Sequence, residues 1–123
     1  MQIVLAVAVG GAFGAVGRYA VSSVVTSALD LRGSGTLVAN LLGAFLLGAI
    51  IGLTEERWAL SEPMRNGITV GVLGGFTTFS TYMYDVVSHA EEDHWPLTAA
   101  LLLVTVILGL IAMVGGLAAG RAA

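Results

Sequence analysis

The sequence predicts an all-α membrane protein with four transmembrane helices, the third of them broken. Composition is the first reason. Of 123 residues 57% are hydrophobic and only 11% charged, against about a quarter charged in an ordinary soluble domain, and the mean hydropathy is +0.93. The second is that the apolar residues come in long runs rather than at amphipathic spacing, as lipid demands. The third is a cluster of glycine and hydroxyl residues inside one of those runs, where hydrocarbon makes polar groups costly. All five basic residues are arginine and the net charge is −3, so no basic footprint for nucleic acid exists. The chain has no cysteine, which excludes disulfides and thiolate metal sites.

The first run covers residues 3–29 and ends at Asp30. At 1.5 Å per residue it reaches about 40 Å, more than the roughly 30 Å of a hydrocarbon core, so it has room to tilt. It lacks the basic start of a signal peptide and is too long for one. The link from Asp30 to Gly35 is a turn by composition. The second run, residues 36–53, is just long enough to span. Thr54-Glu55-Glu56-Arg57-Trp58 follows as a charged interfacial stretch with an aromatic anchor.

Ser61-Glu62-Pro63 is a helix start: a hydroxyl cap, an acid against the dipole and a proline where no N–H is needed. The third run extends over residues 64–87. Asp93 before Trp95-Pro96 repeats that start signal for the fourth, residues 95–119. The whole chain, residues 1–123, is thus one four-helix domain.

Four spans put both termini and the central loop on one side, with Arg57, Arg65 and Arg121. Arg32 lies on the other side, and Arg18 is inside the first span. This arginine bias leans weakly towards cytoplasmic termini, and such near-neutrality permits insertion in both orientations. Gly10 and Gly14, Gly48 and Gly52, Gly67 and Gly71, Gly71 and Gly75, and Gly116 and Gly120 stand four apart. That spacing makes a flat groove for another backbone. Four short helices enclose no polar pathway alone, so a dimer is expected.

The chemistry is expected in Gly74-Gly75-Phe76-Thr77-Thr78-Phe79-Ser80-Thr81-Tyr82. Two adjacent glycines weaken a helix, and irregular backbone at membrane depth must be buried in protein or face a water-filled cavity. Freed carbonyls there suit a cation. The hydroxyls of Thr77, Thr78, Ser80 and Thr81 add donors without fixed charge, unless they bond back to their own helix. Phe79 and Tyr82 stand three apart and should share a helix face, where ring edges can hold an anion.

Asn40 is an amide donor in an apolar run, suited to an interhelical hydrogen bond or to the pathway. Arg18 either snorkels to the interface or attracts anions at a pore mouth. Thr105 and Thr98 share a face of the fourth span. Asp85 and His89 form an i, i+4 pair where the third helix leaves the membrane. Beside them Glu91, Glu92, Asp93 and His94 make an acidic loop. A metal site is conceivable there, but two histidines among clustered acids usually mark a solvated loop.

The string Gly74-Gly75-Phe76-Thr77-Thr78-Phe79-Ser80-Thr81 resembles the signature of the small bacterial fluoride channels, the Fluc or CrcB family. Gly17-Arg18-Tyr19 and Gly35-Thr36-Leu37-Val38-Ala39-Asn40-Leu41-Leu42-Gly43 support it, and the likeness covers essentially the whole chain. It implies an antiparallel, dual-topology dimer in the bacterial inner membrane, carrying fluoride passively out of the cell and conferring fluoride resistance. By the same resemblance, the backbone carbonyls of Gly74 and Thr77 would hold a structural Na+ on the dimer axis. Asn40, Phe79, Tyr82, Thr81 and Thr105 would line the fluoride pore, with Arg18 in its vestibule. Some members of the family pair two homologous chains instead. Tyr82 departs from the phenylalanine usual at that position.

Two rivals have the same size. A small proton-coupled multidrug exporter needs an intramembrane carboxylate, and residues 3–29 contain none. A non-transporting membrane subunit would explain the glycine spacings and leave the polar break unexplained. No nucleophile–base spacing or phosphate loop suggests an enzyme.

Overall fold

The longest apolar runs become the longest helices. The computed structural model describes residues 1–56 and 59–123, and these are helical with no strand. Helix α1 (Gln2–Leu29) fills the first run. It stops at Asp30, which takes a left-handed conformation (φ 50°) while its N–H donates to the Thr26 carbonyl at 2.9 Å, a common helix ending. Gly33, at φ 87°, completes the turn. Helix α2 (Ser34–Glu56) starts two residues earlier than expected. There the Ser34 hydroxyl donates to the Leu31 carbonyl at 2.7 Å and closes the turn onto the helix. The anchor expected at Arg57 and Trp58 lies outside the described residues.

The third segment is composite. It opens with α3 (Glu62–Asn66), flanked by Ser61 and with proline in its first turn as expected, although the Ser61 side chain makes no capping bond. The chain then widens into a π-helical stretch (Gly67–Leu73), tightens into α4 (Gly74–Phe76), breaks, and resumes as α5 (Ser80–Glu91). Helix α6 (Trp95–Ala122) follows. Its N-terminal flank is His94 and not Asp93. Asp93 is left-handed at φ 61°, whereas a capping residue adopts extended backbone.

Among the described residues, three helices are long and apolar enough to cross a membrane: Gln2–Leu29, Ser34–Glu55 and Trp95–Ala122. With the bent third segment they make the expected four-helix membrane fold. The four-residue glycine spacings are used within the chain. A Cβ at Gly10 or Gly14 would fall on the Gly67 or Val72 carbonyl, which fixes α1 against the third segment. Likewise one at Gly48, Gly116 or Gly120 would fall on the Met113, Phe45 or Ala49 carbonyl, so α2 and α6 lie backbone to backbone. Without side chains between them, dispersion and Cα–H contacts hold the helices where no hydrophobic effect acts.

The outer faces stay apolar. Only 11% of the most apolar window of α1 or α6 is buried within the chain, and Leu103, Val106, Ile107, Leu110 and Ile111 of α6 all point outward. Patches of this extent need a lipid or protein cover. At the polar ends, Arg32 pairs with Glu92 and Arg121 with Glu55, each at 3.0 Å. Exposed pairs of this kind contribute little.

Candidate functional site: the break in the third segment

The segment does not break where its glycines stand. Gly74 is helical (φ −65°, ψ −36°), and the Thr77 N–H still closes onto the Leu73 carbonyl at 3.0 Å. The chain leaves the helix one step later, at Thr77, whose ψ of 155° is extended. This corrects the expectation that the glycine pair itself opens the backbone. Gly75 instead allows close approach, since a Cβ there would stand 2.7 Å from the Gly11 carbonyl.

What holds the break open is Asn40. Its Nδ2 donates to the Thr78 carbonyl at 2.8 Å, and its Oδ1 accepts the Thr78 N–H at 2.8 Å. One side-chain amide thus satisfies both backbone groups of the residue that follows the extended Thr77, as irregular backbone in hydrocarbon requires. The consequence is felt one turn back. A continuous helix would send the Thr78 N–H to the Gly74 carbonyl; here it goes to Asn40. The Thr81 N–H, the helical partner of the Thr77 carbonyl, is taken by the Thr78 hydroxyl at 3.4 Å. The Gly74 and Thr77 carbonyls are thus among those at the break that lose their helical donors. Arg18 supplies the next carbonyl, its Nε donating to Gly75 O at 3.2 Å. The guanidinium is thereby tied to the break rather than free to snorkel.

Phe79 stands on the break and is 77% exposed. With Asn40, Gly43, Thr69, Gly74 and Thr77 it lines an open groove of about 560 Å³. Tyr82 is not beside it. Its ring is 1% exposed, packed with Val86 and Leu101, and its hydroxyl donates to the Leu101 carbonyl at 2.9 Å. Phe79 and Tyr82 thus differ in burial, although Phe79 already has helical backbone (φ −90°, ψ −47°) and its carbonyl accepts the Met83 N–H at 2.9 Å.

The hydroxyls divide into two groups. Thr77 bonds back to Leu73 at 3.0 Å and Thr98 to His94 at 3.1 Å, the ordinary fate of helical threonine. Thr78 donates to the exposed Thr81 at 3.3 Å, and Thr105 donates across to the Tyr82 oxygen. Asp85 does not pair with His89. It accepts the Thr36 hydroxyl at 3.1 Å, while His89 Nε2 lies 2.9 Å from the Arg32 carbonyl. Sequence reasoning missed the Gly75 carbonyl and Thr69, which carry no signal of their own because their roles depend on which helices meet.

The sequence that builds this break has known relatives. The family model described as CrcB-like protein, Camphor Resistance (CrcB), matches residues 5–117. The chain belongs to the CrcB family. It is 40% identical over 122 residues to the fluoride-specific ion channel FluC of Maridesulfovibrio salexigens, covering 98% of this chain and 97% of that one. The FluC of Agrobacterium fabrum is 40% identical over 119 residues (94% and 93%). That of Geobacter sulfurreducens is 39% identical over 123 (98% and 98%). Family membership and the apolar helices make this CrcB protein a multi-pass integral membrane protein of the bacterial inner membrane and not an enzyme.

Proposed function

We propose that this CrcB protein is a fluoride-selective channel that lets fluoride leave the cell passively and so confers fluoride resistance. The observation that carries the reading is the Asn40–Thr78 amide pair, which keeps polar backbone exposed at membrane depth beside Phe79. Fluoride is small and strongly hydrated, so its passage needs donors that replace water without binding too tightly. The second N–H of Asn40, the Thr81 hydroxyl and the edge of Phe79 are donors of that kind. Tyr82 and Thr105 form the inner part of the same wall. Arg18, held on the Gly75 carbonyl, raises the local anion concentration at the vestibule.

The working unit is a pair of antiparallel copies, or a pair of homologous chains. The groove containing Phe79 is open on one side and its lining is largely apolar, so a second chain is its natural cover. The Gly74 and Thr77 carbonyls, deprived of their helical donors, fit a hard monovalent cation such as Na+. When bound, Na+ supplies a fixed positive charge that offsets the cost of an anion at this depth. The exporter alternative lacks its acid, since residues 2–29 contain no carboxylate.

The test is ion flux from liposomes holding the purified, verified dimer. Fluoride efflux without chloride efflux is expected. Dimers that release no fluoride would overturn the proposal.

A further inference from the structure

Away from the break, three metal-binding side chains converge where α5 ends and α6 begins. One ligand atom from each of His89, Glu92 and His94 lies within 4.8 Å of the other two. A solvated acidic loop would leave all three wet. His89 is instead only 5% exposed.

The state of its ring follows from its partner. Nε2 sits 2.9 Å from the Arg32 carbonyl, and a carbonyl only accepts, so Nε2 carries the proton. In the neutral ring Nδ1 is then a bare lone pair. It is buried and has no hydrogen-bond partner among the described residues. An unpaired acceptor in that position costs stability unless something uses it. A histidine fixed through one nitrogen on a backbone carbonyl, with the other nitrogen bare, is how metal-binding imidazoles are oriented.

The other two ligands are placed to complete a site. Glu92 holds Arg32 through Oε1 at 3.0 Å, leaving Oε2 3.8 Å from His94 Nδ1. Ligand atoms about 2.0–2.1 Å from a tetrahedral ion stand about 3.4 Å apart. Closing from the observed spread would draw in Glu92 and His94, both on the surface. The cavity they share, about 480 Å³, is also lined by Asp30 and Arg32.

We infer that His89 Nδ1, the Glu92 carboxylate and His94 form a binding site for a divalent transition metal of the zinc class. Two imidazoles and one carboxylate suit Zn2+, Co2+ or Ni2+, whereas Mg2+ and Ca2+ prefer oxygen ligands throughout. Arg32 acts from outside the site, its carbonyl orienting His89 and its guanidinium steadying Glu92. A bound ion would clasp the end of α5 to the start of α6 and to the turn after α1. The site is remote from the proposed anion path and does not depend on it.

Calorimetric titration of tag-free, detergent-purified protein with Zn2+ tests the inference. One zinc per chain is expected, with no uptake of Mg2+. Glu92→Gln and His94→Gln alter surface side chains, so both should remain folded. Each should weaken binding by about tenfold or more, at least the loss caused by removing an outer partner of a metal ligand. Zinc should also raise the melting temperature of the wild type and not that of the double variant. The absence of saturable zinc binding, or binding unchanged in both variants, overturns the site.

Discussion

Thr105 spends its hydroxyl proton on the phenolic oxygen of Tyr82, and Tyr82 spends its own on the Leu101 carbonyl. Neither proton is available to an anion while these bonds persist. Tyr82→Phe should therefore release the Thr105 hydroxyl and leave fluoride flux at least equal to the wild type. The missing bonds should lower stability by about 0.5–1.5 kcal/mol. Liposome flux and a melting curve measure the two effects; a large loss of flux would mean that the tyrosine hydroxyl itself handles the ion.

Asn40 serves both backbone groups of Thr78, so its removal strands a donor and an acceptor at once. Asn40→Leu should cost about 1–3 kcal/mol and abolish fluoride flux. Asn40→Asp keeps the acceptor for the Thr78 N–H and loses the donor to its carbonyl, so an intermediate stability is expected. Normal flux in Asn40→Leu would remove the amide from the pathway.

The glycines of the helix seams and those of the outer face should behave oppositely. A methyl group at Gly116 would meet the Phe45 carbonyl, whereas one at Gly109 or Gly115 meets nothing within 4 Å. Gly116→Ala should destabilise by about 1–3 kcal/mol. Gly109→Ala should be neutral or stabilise by up to about 1 kcal/mol, because it reduces the freedom of the unfolded chain. Thermal unfolding of the two variants decides it.

Arg18 is proposed to act at a distance, through its charge, so its contribution should depend on salt. Arg18→Gln should reduce fluoride flux more at low than at high ionic strength. Equal reductions at both would mean that the side chain matters only as a prop for the Gly75 carbonyl.

Much of this was legible in the sequence. Hydrophobic run length anticipated the three continuous helices α1, α2 and α6 to within a few residues, because hydrocarbon thickness is an external ruler. The glycine spacings announced close backbone contact, and Ser61-Glu62-Pro63 announced a helix start. What stayed hidden depends on contacts distant in sequence. The break falls at Thr77–Phe79 rather than at the glycines because the residue that stabilises extended backbone there, Asn40, comes from another helix. Tyr82 is buried because Leu101 of α6 packs against it and accepts its hydroxyl, a contact distant in sequence. The π-helical stretch has no signature of its own; it accompanies the fit of Gly67 and Gly71 against α1. The burial of His89 follows from the Arg32 carbonyl, which no spacing rule reveals.

The Asn40–Thr78 pairing has a consequence for how such a protein can be interrogated. The groups it sets free are main-chain carbonyls, and no codon change deletes a carbonyl. Side-chain scanning across residues 74–78 would therefore under-report these atoms, and its effect at Asn40 would mix the hold on the break with the amide's own donor to the path. Chemical editing reaches them: replacing the Thr78 amide by an ester removes the N–H and leaves every side chain in place. If the break is held open by that N–H, the ester should reduce flux although Asn40 keeps its bond to the Thr78 carbonyl, and a fully conducting ester would show that the open backbone persists without it.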